Sequence, residues 1–231
     1  MPYGEVERKR TGGRLIAFSL LLLLGINGFF AATLWVSWHD RLDQARQHSA
    51  SLAEGLAAQA DATVSGTDRL LSSLAEVLTE RMSHHNGGKL VAEDPDVTAL
   101  LRRRVPRNPH MRAITLIAPD GTVLNDSRDP EAAHVNLADR DYFTDHRDGG
   151  PERTFIDRPE VSRTDGRWFI GMSHRVTDLN GQFAGVVNAV VDPDYFRRFF
   201  ATLGIDDGGF AALFDRTGTI FAREPDFQSF V

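Results

Sequence analysis

The sequence predicts an α+β protein. We expect an N-terminal transmembrane helix, a long stalk helix, an antiparallel five-stranded sheet module with helices on one side, and the start of a second such module. Three observations support this prediction. Residues 15–36 are apolar and uncharged, and a proline-free helical pattern covers about residues 37–82. From residue 113 onward, strand-like apolar runs alternate with turn residues.

Residues 15–36 are predicted to form the transmembrane helix. A helix of about 20 apolar residues spans the hydrocarbon core of a bilayer, and a helix satisfies its own backbone hydrogen bonds in lipid. Trp35 and Trp38 lie at its far end, where aromatic residues favour the membrane interface. Four basic residues precede the span: Arg8, Lys9, Arg10 and Arg14. Because basic flanks favour the cytoplasmic side, residues 1–14 are predicted to be a cytoplasmic tail.

A cleaved signal peptide is the alternative to a membrane anchor. Its apolar core is normally about 7–15 residues long, and this stretch is longer. Ala31 and Ala32 form a poor cleavage site. The chain contains no cysteine, which is compatible with a disulfide-free domain in a bacterial periplasm. We therefore expect a protein of the bacterial inner membrane whose chain beyond the span is periplasmic.

Residues 37–105 are predicted to form a long periplasmic stalk helix and a shorter helix. Small or apolar residues recur in the stalk at alternating steps of three and four residues: Leu42, Ala45, Ser49, Leu52, Leu56, Gln59, Thr63, Thr67, Leu70, Leu74 and Val77. This heptad pattern favours a parallel homodimer. The alternative is a helix that packs only on its own domain, and the early part could pair while the later part packs inward. The shorter helix is predicted at residues 94–104, with Pro95 in its first turn.

The two predicted helices are separated by the sequence HHNGG at residues 84–88. Adjacent histidines do not face each other on a helix, and no acidic residue or cysteine lies at ligand spacing. We therefore predict a helix-terminal loop here, with no metal site, and we predict no cofactor for the chain.

Residues 106–200 contain the strand-like runs. Strands are predicted at residues 113–118, 122–124, 154–156, 168–176 and 183–191. A helix with Asp192 as its N-cap follows at residues 192–200. The order strand, turn, strand then recurs at residues 211–222. Residues 201–231 are therefore predicted to begin a second, apparently truncated module, because one hairpin cannot bury a core.

Three stretches resemble a known family. They are DRDYF at residues 139–143, RWFIGMSHR at residues 167–175, and GQFAGVV at residues 181–187 running into DPDYF at residues 192–196. Their order and spacing resemble the double Cache domain (dCache), a PAS-like extracellular sensor, and most closely its subgroup on diguanylate cyclases and sensor histidine kinases. The resemblance covers about residues 37–231. It implies that residues 106–200 form the membrane-distal module and residues 201–231 begin the membrane-proximal one.

The resemblance also implies a binding site. Family members bind ligands in the distal module between the sheet and a loop-and-helix cover, here about residues 125–160. In amino-acid-binding members an arginine and the aromatic pair that starts two residues later hold the ligand, and Arg140, Tyr142 and Phe143 occupy those places. A guanidinium clamps a carboxylate with two parallel hydrogen bonds, and aromatic walls exclude water. These three residues are therefore candidate ligand contacts.

Two positions depart from the pattern of amino-acid-binding members. Val135 stands where an aromatic residue is usual, and Val190 stands where an acid pairs with the ligand ammonium. A small carboxylate or another anion without an amine is therefore as plausible a ligand as an amino acid. The alternative role of Arg140 is structural. It would then pair with Asp139, Asp157 or a backbone carbonyl while the aromatic pair closes the core.

The strand predicted at residues 168–176 supplies three further candidate ligand contacts. Alternation places Trp168 on one face and Ser173 and Arg175 on the other. Only one face can line a pocket, and the sequence leaves open which. Trp168 is a candidate pocket wall, and Arg175 is either a ligand contact or an ion-pair partner elsewhere.

These features favour a periplasmic small-molecule sensor that signals through the stalk and membrane helices to a diguanylate cyclase or histidine kinase outside this sequence. A structural dimerisation module with a degenerate pocket is the first alternative. A membrane-anchored periplasmic enzyme is the second, but the motifs of common hydrolases and nucleotide-binding enzymes are absent. We therefore predict no catalysis within these residues. The formal net charge of -6 argues against a nucleic-acid partner.

Overall fold

The structure is a computed structural model that describes residues 4–84, 90, 92–129, 135–150, 153–202 and 209–225. The helices are α1 (Gly4–His84), α2 (Pro95–Arg104), α3 (Asp141–Arg147) and α4 (Pro193–Ala201), with a 3₁₀ turn at Val105–Arg107. The strands are β1 (Met111–Ile117), β2 (Val123–Asp126), β3 (Phe155–Val161), β4 (Trp168–Thr177), β5 (Phe183–Val191), β6 (Ala211–Phe214) and β7 (Ile220–Glu224). The predicted loop at residues 84–88 lies almost wholly outside the described residues.

The chain divides into two compact units, Met1–Leu56 and Ala57–Val231. In the first unit, every described side chain from Phe18 to Ala50 is exposed. α1 contains the one described segment that is long and apolar enough to cross a membrane. Asn27 donates to the carbonyl of Leu23 at 2.7 Å, so a polar side chain of the apolar stretch is satisfied within the helix. A helix that is apolar all round is typical of a membrane span.

The second unit is built around a five-stranded antiparallel sheet in the order β2-β1-β5-β4-β3. β5 lies at its centre, where Val187 is opposite Leu116 on β1 and His174 on β4. β6 and β7 form a separate two-stranded sheet. The predicted α+β class, with a long apolar helix, a five-stranded sheet and a second small sheet, is confirmed.

The later part of α1 packs on its own unit. Leu71, Leu74 and Leu78 are at most 1% exposed and recur at helical spacing. Polar bonds fix the same helix to the sheet module, for example Thr79 Oγ1 donating to the carbonyl of Thr177 at 2.8 Å. This half of the predicted heptad pattern therefore includes residues that fill the chain's own core. Homodimer pairing stays a prediction that concerns the exposed part around Leu42.

Two bulges change the predicted strand bounds. β1 begins at Met111, two residues before the prediction, and its pairing with β5 shifts register between Met111 and Ala113. β3 extends to Val161 although it contains Pro159, and its pairing with β4 also shifts just before that proline. β3 is an edge strand, where a proline at a bulge is tolerated because one side of the strand has no partner.

Side-chain caps begin α4 and α2, and the cap at Asp192 is the one that the sequence predicts. The side chain of Asp192 accepts from the backbone N–H of Asp194 at 3.1 Å and begins α4, with Pro193 in the first helical position. Asp94 accepts from the N–H groups of Asp96 and Val97 and begins α2. These bonds satisfy donors that a helix N-terminus otherwise leaves free.

His110 makes the stability of the second unit depend on pH. It is buried between α1 and the sheet module, with Nε2 2.9 Å from Thr67 Oγ1, and burial lowers its pKa. The unfolded chain takes up this proton near about pH 6.5, whereas the folded chain does so only at lower pH. Stability that is present above about pH 6.5 is therefore lost as the pH falls.

We expect His110→Gln to reduce the loss of unfolding free energy between pH 7.5 and 5.5 by up to about 1.4 kcal/mol, one histidine's full contribution over that range. Denaturant titrations followed by circular dichroism at each pH measure it. The exposed His48 provides the matched control, His48→Gln. Parallel pH profiles for wild type and His110→Gln would contradict the prediction.

Candidate functional site

A cavity of about 50 Å³ lies between the sheet and its cover. Its sheet side is formed by β1, β2, β4 and β5, including Thr115, Phe169 and Asn188. Its cover side is formed by Arg140, Tyr142 and residues 162–165 of the β3–β4 turn, among others. The cavity has room for roughly four water-sized groups. It lies where the family resemblance places a ligand.

Gly121 fixes the cover close to the sheet. It lies in the β1–β2 turn with a φ of +87°, and an added Cβ would lie 2.4 Å from the Cβ of Ala138. The backbone N–H of Leu137 donates to the carbonyl of Gly121 at 2.8 Å. A glycine is required here both for its backbone conformation and for the close approach of the cover.

Arg140 lines the cavity but already has protein partners. It stands at the N-cap position of α3, and its side chain is 14% exposed. The guanidinium pairs with Glu160 on β3, and Nη2 donates to the carbonyl of Val161 at 2.9 Å. Asp139 pairs instead with Arg163 at 2.6 Å, which holds the pKa of Asp139 at about 2. The structural alternative for Arg140 is therefore present, with Glu160 in place of the acids expected.

Tyr142 and Phe143 are adjacent in α3, but one lines the cavity and the other lies in the core. Tyr142 lines the cavity, and burial raises the pKa of its hydroxyl. Its ring passes over Gly171 on β4, where an added Cβ would lie 3.2 Å from Tyr142 Cδ1. Phe143 is fully buried and packs edge-on against Phe183 at 5.8 Å between ring centroids. Phe143 belongs to the core beneath α3, outside the cavity lining.

β4 turns the face that bears Phe169, Ser173 and Arg175 toward α3. Ser173 is fully buried, and its hydroxyl lies 2.9 Å from Nε2 of His146. Arg175 donates to the backbone carbonyl of His146 and lies over the ring of Phe183. Ser173 and Arg175 thus attach α3 to the sheet and are not part of the cavity lining, to which this face of β4 contributes Phe169.

Trp168 precedes Phe169 on β4, so alternation directs its side chain to the opposite face. Its carbonyl oxygen nevertheless bounds the site, because it accepts a hydrogen bond from Nη1 of Arg112 at 2.9 Å. Of the six predicted ligand contacts, the structure brings only Arg140 and Tyr142 to the cavity. Ligand contact by any of the six remains a prediction.

Arg112 is the cavity residue that sequence reasoning missed. It lies on β1, and its side chain is only 7% exposed. Nη2 lies 3.7 Å from Asp165 and Nη1 lies 4.0 Å from Asp192. The available signal was a lone arginine inside the apolar run MRAITLI, which becomes visible once the strand is extended to Met111.

The cavity lining contains more arginines than carboxylates. The arginines are Arg112, Arg128, Arg140 and Arg163, and the carboxylates are Asp126, Asp129 and Asp165. Burial raises the pKa of Asp126, although the backbone N–H groups of Arg128 and Asp129 donate to it and act in the opposite direction. Val190, where the family resemblance implies an acid in amino-acid-binding members, also lines the cavity. Arg140 and Arg163 are already paired with Glu160 and Asp139, so Arg112 is the buried arginine of the lining whose carboxylate partners are distant, at 3.7 and 4.0 Å.

Three carboxylates beside the cavity come close enough to share a cation. Oxygen atoms of Asp141, Asp157 and Glu160 lie within 4.8 Å of one another. Burial and the charge of Asp141 raise the pKa of Asp157. However, Asp141 pairs with Arg158 at 3.3 Å and Glu160 pairs with Arg140. We therefore interpret the group as a charge network that joins α3 to β3, and we assign no metal to it.

Comparison with known proteins decides the family. The family model for the Cache domain, dCache_1, matches residues 40–230. The chain belongs to the Cache-domain family. The resemblance inferred from the three short stretches is thereby confirmed. Among curated proteins, no relative matches the chain.

Solved structures of sensor domains share the fold. The extracellular domain of rpHK1S-Z16, described as a histidine kinase, is 27% identical with a TM-score of 0.67, covering 76% of this chain and 68% of that one. The sensor domain of the V. cholerae histidine kinase DctB is 15% identical with a TM-score of 0.58, covering 77% and 66%. The domain of the Pseudomonas aeruginosa chemoreceptor PctC, in complex with GABA, is 21% identical with a TM-score of 0.55, covering 74% and 72%.

The packing role of Phe143 is testable against a ligand role. Because its side chain is fully buried, we expect Phe143→Ala to lower the unfolding free energy by about 3–5 kcal/mol. Denaturant titration of the purified chain measures the change. Phe214→Ala is the matched control, since Phe214 is 64% exposed and should change stability by less than about 0.5 kcal/mol. A Phe143→Ala chain of wild-type stability would show that this ring is not part of the core.

Proposed function

We propose that this chain is the periplasmic sensor portion of a bacterial transmembrane signalling protein and that it binds a small anionic molecule in the cavity of its Cache module. The observation that supports this proposal most directly is the cavity between the sheet and its cover, whose lining includes the buried Arg112 with carboxylate partners only at 3.7 and 4.0 Å. Because a Cache domain is a sensor module, we expect this site to bind a ligand rather than to catalyse a reaction.

The proposed ligand is a small carboxylate, or another small anion, without an amine. PctC and the chemoreceptor Tlp3 were solved with GABA and isoleucine, both of which carry an amine. In this chain Val190 lines the cavity in place of an acid, and Val135 packs against the core. The arginines can still satisfy a carboxylate, since guanidinium and carboxylate match in charge and geometry.

The proposed topology follows from charge and hydropathy. Residues 1–14 would be cytoplasmic, residues 15–36 would cross the inner membrane, and residues 37–105 would form the stalk helix and the shorter helix. Residues 106–200 would be the membrane-distal module, and residues 201–231 would begin the membrane-proximal one. The output domain would be a histidine kinase or a diguanylate cyclase, and the similarity to rpHK1S-Z16 and DctB supports the kinase.

Relay of binding to α1 has a physical basis in the second unit. Asp68 on α1 accepts a hydrogen bond from Thr154 at 2.5 Å, and Thr154 directly precedes β3. β3 also carries Glu160, which pairs with Arg140 at the cavity. A ligand that contacts Arg140 would change its ion pair with Glu160. The change would shift β3 and, through the bond between Thr154 and Asp68, would shift α1. Such coupling requires two states with different affinities for the ligand.

The proposal is tested by ligand-dependent thermal unfolding of the full 231-residue chain in detergent micelles. We expect a small carboxylate from a panel of mono- and dicarboxylates to raise the melting temperature. A ligand at about 100 times its Kd stabilises the folded state by about 2.7 kcal/mol. Arg140→Ala should abolish the shift, because loss of its pairing with Glu160 also releases the cover from β3. A panel of carboxylates, phosphates and amino acids without any stabiliser would contradict the sensor function.

A structural dimerisation module with a degenerate pocket is the second candidate. It is favoured by the small volume of the cavity and by the pairing of Arg140 with Glu160. It would give a dimer whose stability no small molecule changes. The enzyme alternative has less support, because the Ser173–His146 pair is fully buried and therefore closed to a substrate.

A further inference from the structure

The bulge in β1 is formed by a single extra residue, Arg112. Met111 is opposite Val191 on β5 and Ala113 is opposite Val190, so two steps along β1 correspond to one step along β5. Arg112 is therefore the extra residue that has no partner on β5. Simple alternation would place Arg112 and Ala113 on opposite faces, yet both line the cavity. A bulge re-aims a side chain, and this one directs an arginine into the site.

Two of the three nitrogen atoms of the buried Arg112 guanidinium lack a hydrogen-bond acceptor among the described residues. Nη1 donates to the carbonyl of Trp168 at 2.9 Å. Nε and Nη2 have no hydrogen-bond acceptor among the residues that the structure describes. The nearest carboxylate oxygen to Nη2 belongs to Asp165 at 3.7 Å, which is beyond hydrogen-bonding distance. A buried donor without an acceptor lowers the stability of the folded protein. An added anionic group that accepted from Nε and Nη2 would remove this cost.

Asp165 lies beside Nη2 of Arg112, at the position that such an anionic group would have to reach. It belongs to the β3–β4 turn, and its carboxylate faces both Arg112 and Arg128, the latter at 3.4 Å. The turn is held by local bonds, including Asp165 Oδ1 accepting from the N–H of Arg167 at 3.2 Å. The protein thus places its own carboxylate beside the arginine at a distance that neutralises charge without completing hydrogen bonds.

We propose that Arg112 is the main anchor for the ligand carboxylate and that Asp165 occupies the neighbouring position until a ligand displaces it. The inference rests on the proposed sensor function and specifies its site. Nε and Nη2 of Arg112 form the fork that takes the two ligand oxygens. Arg140, which already has Glu160, acts at the rim of the cavity and holds the cover.

The rest of the lining defines the ligand class. Val123, Leu137 and Val190 offer apolar contact to a short carbon chain. The side-chain amide oxygen of Asn188 is buried and has no donor among the described residues, so a ligand hydroxyl could donate to it. A short monocarboxylate, with or without a neighbouring hydroxyl, fits a cavity of about 50 Å³.

The test uses acetate as the probe and acetamide as its neutral isostere, at constant ionic strength, on the full chain in detergent micelles. Affinity is read by saturation-transfer NMR and by thermal shift. We expect acetate to bind and acetamide not to bind. Asp165→Asn should bind acetate at least about threefold more tightly, because the internal competitor loses its charge while Asn retains the acceptor for Arg167.

Arg112→Gln should weaken acetate binding by about tenfold to hundredfold, as expected for the loss of charge-assisted hydrogen bonds. Arg112→Lys, which keeps the charge but not the fork, should lie between wild type and Arg112→Gln. Arg107→Gln is the matched control on an exposed arginine and should bind as wild type does. Should Arg112→Gln fail to fold, Asp165→Asn alone decides the question.

The possible outcomes distinguish a wrong assignment of the Arg112 anchor from a wrong sensor function. Acetate binding that neither the Arg112 variants nor Asp165→Asn alters would overturn the anchor and leave the sensor function standing. Equal binding of acetate and acetamide would also overturn the anchor, because charge would then play no part. If no carboxylate binds to wild type or to Asp165→Asn, the sensor function fails with it.

Discussion

The burial of positively charged side chains is the constraint on which the sheet module depends. Arg112 and Arg140 have side chains that are 7% and 14% exposed, and a buried guanidinium is stable only beside groups of opposite charge. Those carboxylates come from different elements: Glu160 from β3, Asp165 from the β3–β4 turn and Asp192 from the cap of α4. Neutralising the cavity therefore also joins the cover, the edge strand and α4 to the centre of the sheet.

The same constraint makes the site suited to sensing. A charge whose partners lie at 3.7 and 4.0 Å is stabilised but not saturated, so an added anion can change which groups it contacts. A ligand acts on a protein only through its different affinity for two arrangements. In the proposed site, the two arrangements would differ in whether a protein carboxylate or a ligand carboxylate faces Arg112.

The packing of α3 on the sheet determined which predicted site residues line the cavity and which do not. α3 docks on the β4 face that bears Ser173 and Arg175, and the buried His146 takes up the hydrogen-bonding groups of both. The aromatic pair on α3 is divided by helical geometry, so that Tyr142 reaches the cavity while Phe143 enters the core. Adjacent positions in a motif can therefore lie in a cavity lining and in a core.

The sequence by itself determined the uncharged span, the helix caps, the strand order along the chain and the family. These depend on local periodicity and on short-range bonds such as those of Asp192. Tertiary structure alone decided the bulge at Arg112, the pairing of Arg140 with Glu160 and the face of β4 that meets α3. Each of these depends on register and on contacts between residues distant in the chain, which no local pattern encodes.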